Sequence, residues 1–187
     1  MKTVIKATAV ILSATGICLF LAACGGSSPG GAASQAAKTG GQVLPVANNP
    51  IRNNSSTPGL TIVSAAVENN VDPATGMAIA DCLQLGVKNA SNQAMSNFEI
   101  YYQMQDAKTG ASEGYYQKLA GLSLNPGETR TIFFDNKAGA GHYPENKYSI
   151  YRTSQNEVHF TIELSAPGFK PAKSEATKGA GTGEQQD

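Results

Sequence analysis

The sequence predicts an all-β protein: a single antiparallel β-sandwich or barrel of about seven strands, with disordered segments before and after it. Three observations carry this. Apolar and polar residues alternate with a period of two across several stretches between 60 and 165. Gly, Pro, Asn and Asp break those stretches at intervals of about ten residues. No segment shows helical periodicity of comparable clarity.

The chain opens with Lys2 and Lys6, then an apolar stretch from about Ala7 to Phe20, then Leu21-Ala22-Ala23-Cys24. This is the pattern of an export signal, and its processing site resembles the bacterial lipobox. A permanent transmembrane helix is the competing reading, since about 18 apolar residues can just span a hydrocarbon core. Thr8, Ser13, Thr15 and Gly16 dilute the run, and the small residues before Cys24 favour cleavage. The resemblance implies residues 1–23 as signal peptide and Cys24 as lipidation site, with a thioether-linked diacylglycerol and a palmitate-type chain on the amine. Two or more chains anchor stably where one would exchange. The implied location is extracytoplasmic, at the cell-envelope membrane. Gly25, where sorting rules look for aspartate, points to an outer membrane if one is present and otherwise to the outer face of the cell membrane.

Residues 24–57 are rich in Gly, Ala, Ser, Asn, Gln and Pro, with few large apolar side chains to offset the entropy of ordering. They read as a flexible tether with a root-mean-square reach of roughly 30 Å. The folded domain is expected over 58–170. Its candidate strands are Leu60 to Glu68, Ala78 to Asn89, Asn97 to Asp106, Gly114 to Ala120, Glu128 to Asp135, Lys147 to Arg152 and Glu157 to Ser165. The clearest alternation sets Val158, Phe160, Ile162 and Leu164 on one side and Glu157, His159, Thr161 and Glu163 on the other. Phe98, Ile100, Tyr102 and Met104 repeat it, as do Leu83, Leu85 and Val87, so three strands present apolar faces to one core.

The turns are chemically explicit. Asn125-Pro126-Gly127-Glu128 reads as a type II turn, with Pro where φ near −65° is wanted and Gly where φ must be positive. Asp72-Pro-Ala-Thr-Gly76 and Asp106-Ala-Lys-Thr-Gly110 share the spacing Asp-x-x-Thr-Gly, in which Asp caps a type I turn and Gly takes the left-handed position. One carboxylate per segment argues against calcium loops, which need several alternating oxygen ligands. Residues 171–187 lack apolar periodicity and read as a disordered tail.

Charge and cysteine usage narrow the function. Loss of the signal leaves 12 basic side chains against 14 acidic ones, a formal charge of −2, and the basic residues are scattered singly. Phosphate-rich partners need clusters, so nucleic acid is excluded as the expected partner. Of three cysteines, Cys18 leaves with the signal and Cys24 is consumed by lipid. Cys82 then has no intrachain partner, and no disulfide is expected.

A family resemblance rests on Gly86-Val-Lys-Asn-Ala-Ser91, Phe98-Glu-Ile-Tyr101 and Leu124-Asn-Pro-Gly-Glu128. These segments, in about the middle third of the chain, resemble the FxLYD-type and related immunoglobulin-like modules of bacterial envelope lipoproteins, with Tyr102 where that pattern has aspartate. The resemblance implies a small extracellular β-sandwich of binding or unknown function and brings no catalytic residues with it.

No catalytic motif stands out. Gly121-Leu-Ser123-Leu-Asn125 lacks the closing glycine of a nucleophile elbow, and Gly139-Ala-Gly141-His142 lacks the Lys-Ser/Thr of a phosphate loop. A zinc site would need Cys82, Asp135, His142 and His159 to converge without local pair spacing, so no metal and no cofactor is expected. Cys82 points outward by strict alternation or inward if a bulge forms near Asp81; burial is the commoner fate of a lone cysteine.

The candidate binding face is aromatic. Tyr101 alternates against Phe98, Ile100 and Tyr102, and Tyr116, Tyr143 and Tyr151 are candidates for the same outer surface. Tyrosine brings large contact area, a hydroxyl and little rotamer entropy, although it also favours strands generally. In an immunoglobulin-like arrangement the third, fourth, sixth and seventh strands form one sheet, whose outer side carries Glu99, Tyr101, Gln103, Tyr116, Tyr151 and His159. The sequence therefore leads to a non-enzymatic, lipid-anchored binding or accessory module for an envelope protein or glycan. The alternatives are a structural envelope lipoprotein without a specific ligand and, last, a small metal-binding or enzymatic domain. Oligomeric state is not legible.

Overall fold

In a computed structural model that describes residues 43–68, 74 and 82–181, the protein is an all-β sandwich. Its elements are β1 (Leu60–Val67), β2 (Leu83–Asn89), β3 (Met95–Ser96), β4 (Glu99–Asp106), β5 (Ser112–Lys118), β6 (Ser123–Leu124), β7 (Thr129–Phe134), β8 (His142–Tyr143), α1 (Ile150–Thr153), β9 (Val158–Ser165) and β10 (Ala172–Lys178). One sheet has the order β1-β2-β7-β8 and the other β10-β9-β4-β5, with β3 and β6 as a separate two-stranded ribbon. All strand pairs are antiparallel except the short β7–β8 pair, which is parallel. The signal peptide, the lipidation site, the Asp72–Gly76 turn apart from Ala74, and the start of the expected second strand lie outside the described residues.

The alternations predicted from the sequence build the core. Leu83, Leu85, Val87, Ile132 and Phe134 face inward from the first sheet, and Ile100, Tyr102, Met104, Phe160, Ile162 and Leu164 face them from the second. Met95 and Leu124 of the ribbon close one end. Burying side chains of this size contributes roughly 1.5–3 kcal/mol each before entropy is counted.

Asn89 ties that end together. Its Nδ2 donates to the Gln93 and Leu124 carbonyls at 2.7 and 3.1 Å, its Oδ1 accepts from the Ser91 N–H and hydroxyl, and its backbone bonds Glu128 and Gly127. The type II turn forms as predicted, with Gly127 at φ 77° and the Glu128 N–H donating to the Asn125 carbonyl at 3.0 Å. At the other end Asp106 Oδ1 accepts from the Lys108 and Thr109 N–H groups, and Gly110 sits at φ 73°, closing the β4–β5 hairpin.

Three expectations are corrected. The segment Lys147 to Arg152 is not a strand. Asn146 Oδ1 accepts from the Tyr148 N–H, the Ser149 carbonyl accepts from the Arg152 and Thr153 N–H groups, and the chain makes the single turn α1. Tyr151 and Arg152 are both buried, and Arg152 uses its position to pair with buried Glu145.

The chain after Pro171 is not a disordered tail over its whole length. β10 pairs with β9 from Ala172↔Leu164 to Lys178↔Val158 and takes the place in the sheet expected of the sixth strand. Its inward positions are Ala172, Ser174, Ala176 and Lys178, the last fully buried with Nζ donating to the Ser154 carbonyl at 2.5 Å. The ladder orders this strand where apolar content does not.

The expected tether also folds over its described part. Val46 donates its N–H to the Gly114 carbonyl at 2.8 Å, Pro45 bridges Tyr115, and Ile51 is buried. Asn53 Nδ2 donates to Ser165 Oγ and to the Ala166 and Phe169 carbonyls, all within 3.0 Å. Residues 43–57 are thus a strap across the sheet.

Candidate functional site

The outer side of the β10-β9-β4-β5 sheet collects most of the predicted binding face. The β4–β5 register sets Tyr101 opposite Tyr116, Gln103 opposite Gly114 and Glu99 opposite Lys118, while β9 adds Glu163 beside Tyr101 and His159 beside Gln105. Tyr101 and Tyr116 are half-buried; Gln103 and His159 are exposed. The Tyr116 hydroxyl donates to Glu99 Oε2 at 2.8 Å. Burial first, then the bond and charge of Glu99, push the Tyr116 phenol up to about 12. Gln103 Nε2 donates to Ser112 Oγ at 2.7 Å, and His159 sits between Thr177 and Glu157.

Tyr151 does not belong to this face. It lies in the core at 2% exposure, edge-on to Phe160 with ring centroids 5.6 Å apart, and its hydroxyl donates to the Glu68 carbonyl. The Arg152 guanidinium carbon stands 5.2 Å from its ring centroid. Tyr143 is buried as well, beside Phe134. Tyr143 lies in no expected strand, and Tyr151 follows the turn α1 instead of the strand alternation that would set it outside.

The strap changes what the tyrosines can do. It is bonded to Gly114 at the β5 edge through Val46, to Glu163 through Asn49 Nδ2, and to Ser165 through Asn53, so it crosses the rows of Gln103, Tyr101 and Glu99. The open surface shifts to the end of the sheet, where two clefts adjoin. One, of about 480 Å³, is lined by Arg52, Asn54, Glu99, Pro167 and neighbours; the other, of about 760 Å³, by Asn97, Glu99, Lys118, Leu119, Pro167 and neighbours. Glu99 and Pro167 line both, so the clefts make one groove. Asn97 holds φ at 55°, a backbone state that asparagine tolerates better than most residues. The sequence reading reached Glu99 but missed Arg52 and Pro167. The available signal was Val43-Leu44-Pro45-Val46 and Ile51-Arg52, where large apolar residues and a charge interrupt an otherwise small and polar stretch.

On the first sheet, His142 and Asp135 come together. His142 Nδ1 lies 3.0 and 2.9 Å from the two Asp135 carboxylate oxygens, and its ring stacks on Phe133 at 5.1 Å. Cys82 is buried, with its thiol pushed up to about 12 by burial and then by the charges of Glu68, Asp135 and Glu145. Such a group is a thiol, not a nucleophilic thiolate, at neutral pH. His159 is on the other sheet, and among the described residues no three His, Cys, Asp or Glu side chains are grouped to hold a metal.

No family model matches the chain, and no curated protein matches it. Among solved structures, the sporulation control protein Spo0M of Bacillus subtilis is similar over 66% of this chain and 50% of that one, at 11% identity and a TM-score of 0.38. The chain spans about half the length of that protein, and a likeness of this degree carries no argument about function.

Proposed function

We propose that the protein is a lipid-anchored, extracytoplasmic, non-catalytic binding module for an envelope protein or glycan, and that its contact site is the groove at Glu99. The observation that carries the site is the adjacency of the two clefts, which share Glu99 and Pro167 in their walls. Leu21-Ala22-Ala23-Cys24 and the resemblance to FxLYD-type lipoprotein modules support the anchor and the binding role. No helix among the described residues is long and apolar enough to cross a membrane.

The strap sharpens the mechanism. With residues 43–57 bound to the sheet, the chain between Cys24 and the first described residue is residues 25–42, which span at most about 65 Å when fully extended. A domain held this close to a membrane meets neighbouring envelope components at raised effective concentration.

Two measurements test the proposal. Cys24→Ala should abolish metabolic incorporation of labelled palmitate and leave the signal peptide uncleaved; a variant that still carries the label would remove the lipid anchor. Photo-reactive benzoylphenylalanine in place of Ala120, on the lip of the groove, should yield a specific adduct in intact cells. The same residue in place of Ala66, exposed on the opposite sheet, should not. Equal labelling from both sites would remove the groove as the contact.

A further inference from the structure

The groove carries an electrostatic pattern along its length. Arg52 lines one cleft, Lys118 the other, and Glu99 the part they share. Arg52 Nη1 is held by the Asn49 and Ile51 carbonyls at 2.9 and 3.1 Å, which fixes the guanidinium while its remaining N–H groups find no partner among the described residues. Lys118 is exposed and makes no ion pair among the described residues, although Glu99 stands directly opposite in the ladder. Glu99 turns to Tyr116 instead, which engages Oε2 and leaves Oε1 as an acceptor.

Two unpaired cations therefore flank one carboxylate that is already hydrogen-bonded. Unpaired charges on one surface give specificity for a partner of complementary charge. The choice between glycan and polypeptide follows from the aromatic groups. Sugars are commonly held against an exposed ring face, and Phe98, the sole aromatic among the described residues lining the clefts, is 1% exposed. Ala120 and Pro167, both exposed, offer instead an aliphatic floor of the kind that extended peptides cover with methylene and methyl groups.

We propose that the groove binds an extended acidic segment of an envelope polypeptide, an inference that rests on the binding-module reading above. Arg52 and Lys118 take two side-chain carboxylates of the segment, and Glu99 Oε1 accepts a backbone N–H between them. The pairing of charges sets the register, and the aliphatic floor excludes water.

The test uses the full-length protein in detergent micelles and two fluorescein-labelled Gly-Ser peptides, one carrying several Glu residues and the other Gln at the same positions. Fluorescence anisotropy should show the Glu peptide binding at least about tenfold more tightly than the Gln peptide, with the difference shrinking at high ionic strength. Arg52→Glu and Lys118→Glu should each weaken the Glu peptide about tenfold, whereas Lys88→Glu, on the outer side of the other sheet, should leave it unchanged. Far-ultraviolet circular dichroism establishes that each variant is folded. Equal binding of the two peptides, or an equal loss with Lys88→Glu, overturns the proposal. An adduct at Ala120 with an envelope protein while neither peptide binds overturns the acidic specificity and leaves the binding module standing. An adduct with a glycan overturns the polypeptide class, and neither adduct nor binding removes both readings.

Discussion

The Tyr101 ring lies across Gly114, so that a Cβ on Gly114 would stand 2.6 Å from the Tyr101 hydroxyl and about 3.0 Å from the ring. The glycine is required by the space above it. Gly114→Ala forces Tyr101 out of its place on the sheet and should destabilise the domain by about 1–3 kcal/mol in urea unfolding. The same substitution in a Tyr101→Ala background should cost much less. Equal costs in the two backgrounds would show that the ring does not set the requirement.

The strap is held most strongly by one side chain. Asn53→Ala removes three hydrogen bonds to Ser165, Ala166 and Phe169 and should cost roughly 1–3 kcal/mol. Hydrogen exchange at the Val46 amide, bonded to Gly114, reads the strap directly. That amide should exchange much faster in the variant while Ile100 and Ile162 in the central strands keep their protection.

Acid should act through Asp106. The Ser154 hydroxyl first, then Asn156 and the Thr109 and Lys108 amides hold its carboxyl well below the usual carboxylate range. The folded state therefore prefers the ionised form. The stabilisation is complete above the unfolded value near pH 4 and is lost as pH falls below it towards the folded value. The urea midpoint should fall steadily below about pH 4. In Asp106→Asn that slope should be shallower and the midpoint at neutral pH lower; an unchanged slope would assign the acid sensitivity elsewhere.

Cys82 should be chemically silent in the native state. With the thiol buried and its pKa pushed up to about 12, alkylation mapped to Cys82 at mildly alkaline pH should be slower by orders of magnitude than in denaturant. Rapid native labelling would show that the neighbourhood opens readily.

The central strands were legible because each has one fully apolar side. Phe160, Ile162 and Leu164 face the core as their alternation predicts, and Pro126-Gly127 and Asp106–Gly110 turn the chain as their residue types require. The strap, α1 and β10 were not legible, because contacts outside their own residues order them. Asn53 finds its acceptors more than a hundred positions away, Arg152 packs against Glu145, and β10 is a run of small and charged residues stabilised by its ladder with β9. The groove follows the same rule. Glu99 was readable as an outward residue of a strong strand, but Arg52 reaches it only because the strap folds back over the sheet.

The strap also decides where the domain is suspended. The described chain meets the sandwich at its outset, with Val43 packed against the core and Pro45 and Val46 at the β5 edge, well before it enters β1 at Leu60. Any pull from the N-terminal side therefore loads the Val46, Asn49 and Asn53 bonds in turn before it reaches the core strands. Because Arg52 lies between the Asn49 and Asn53 bonds, the strap and the groove turn as one body.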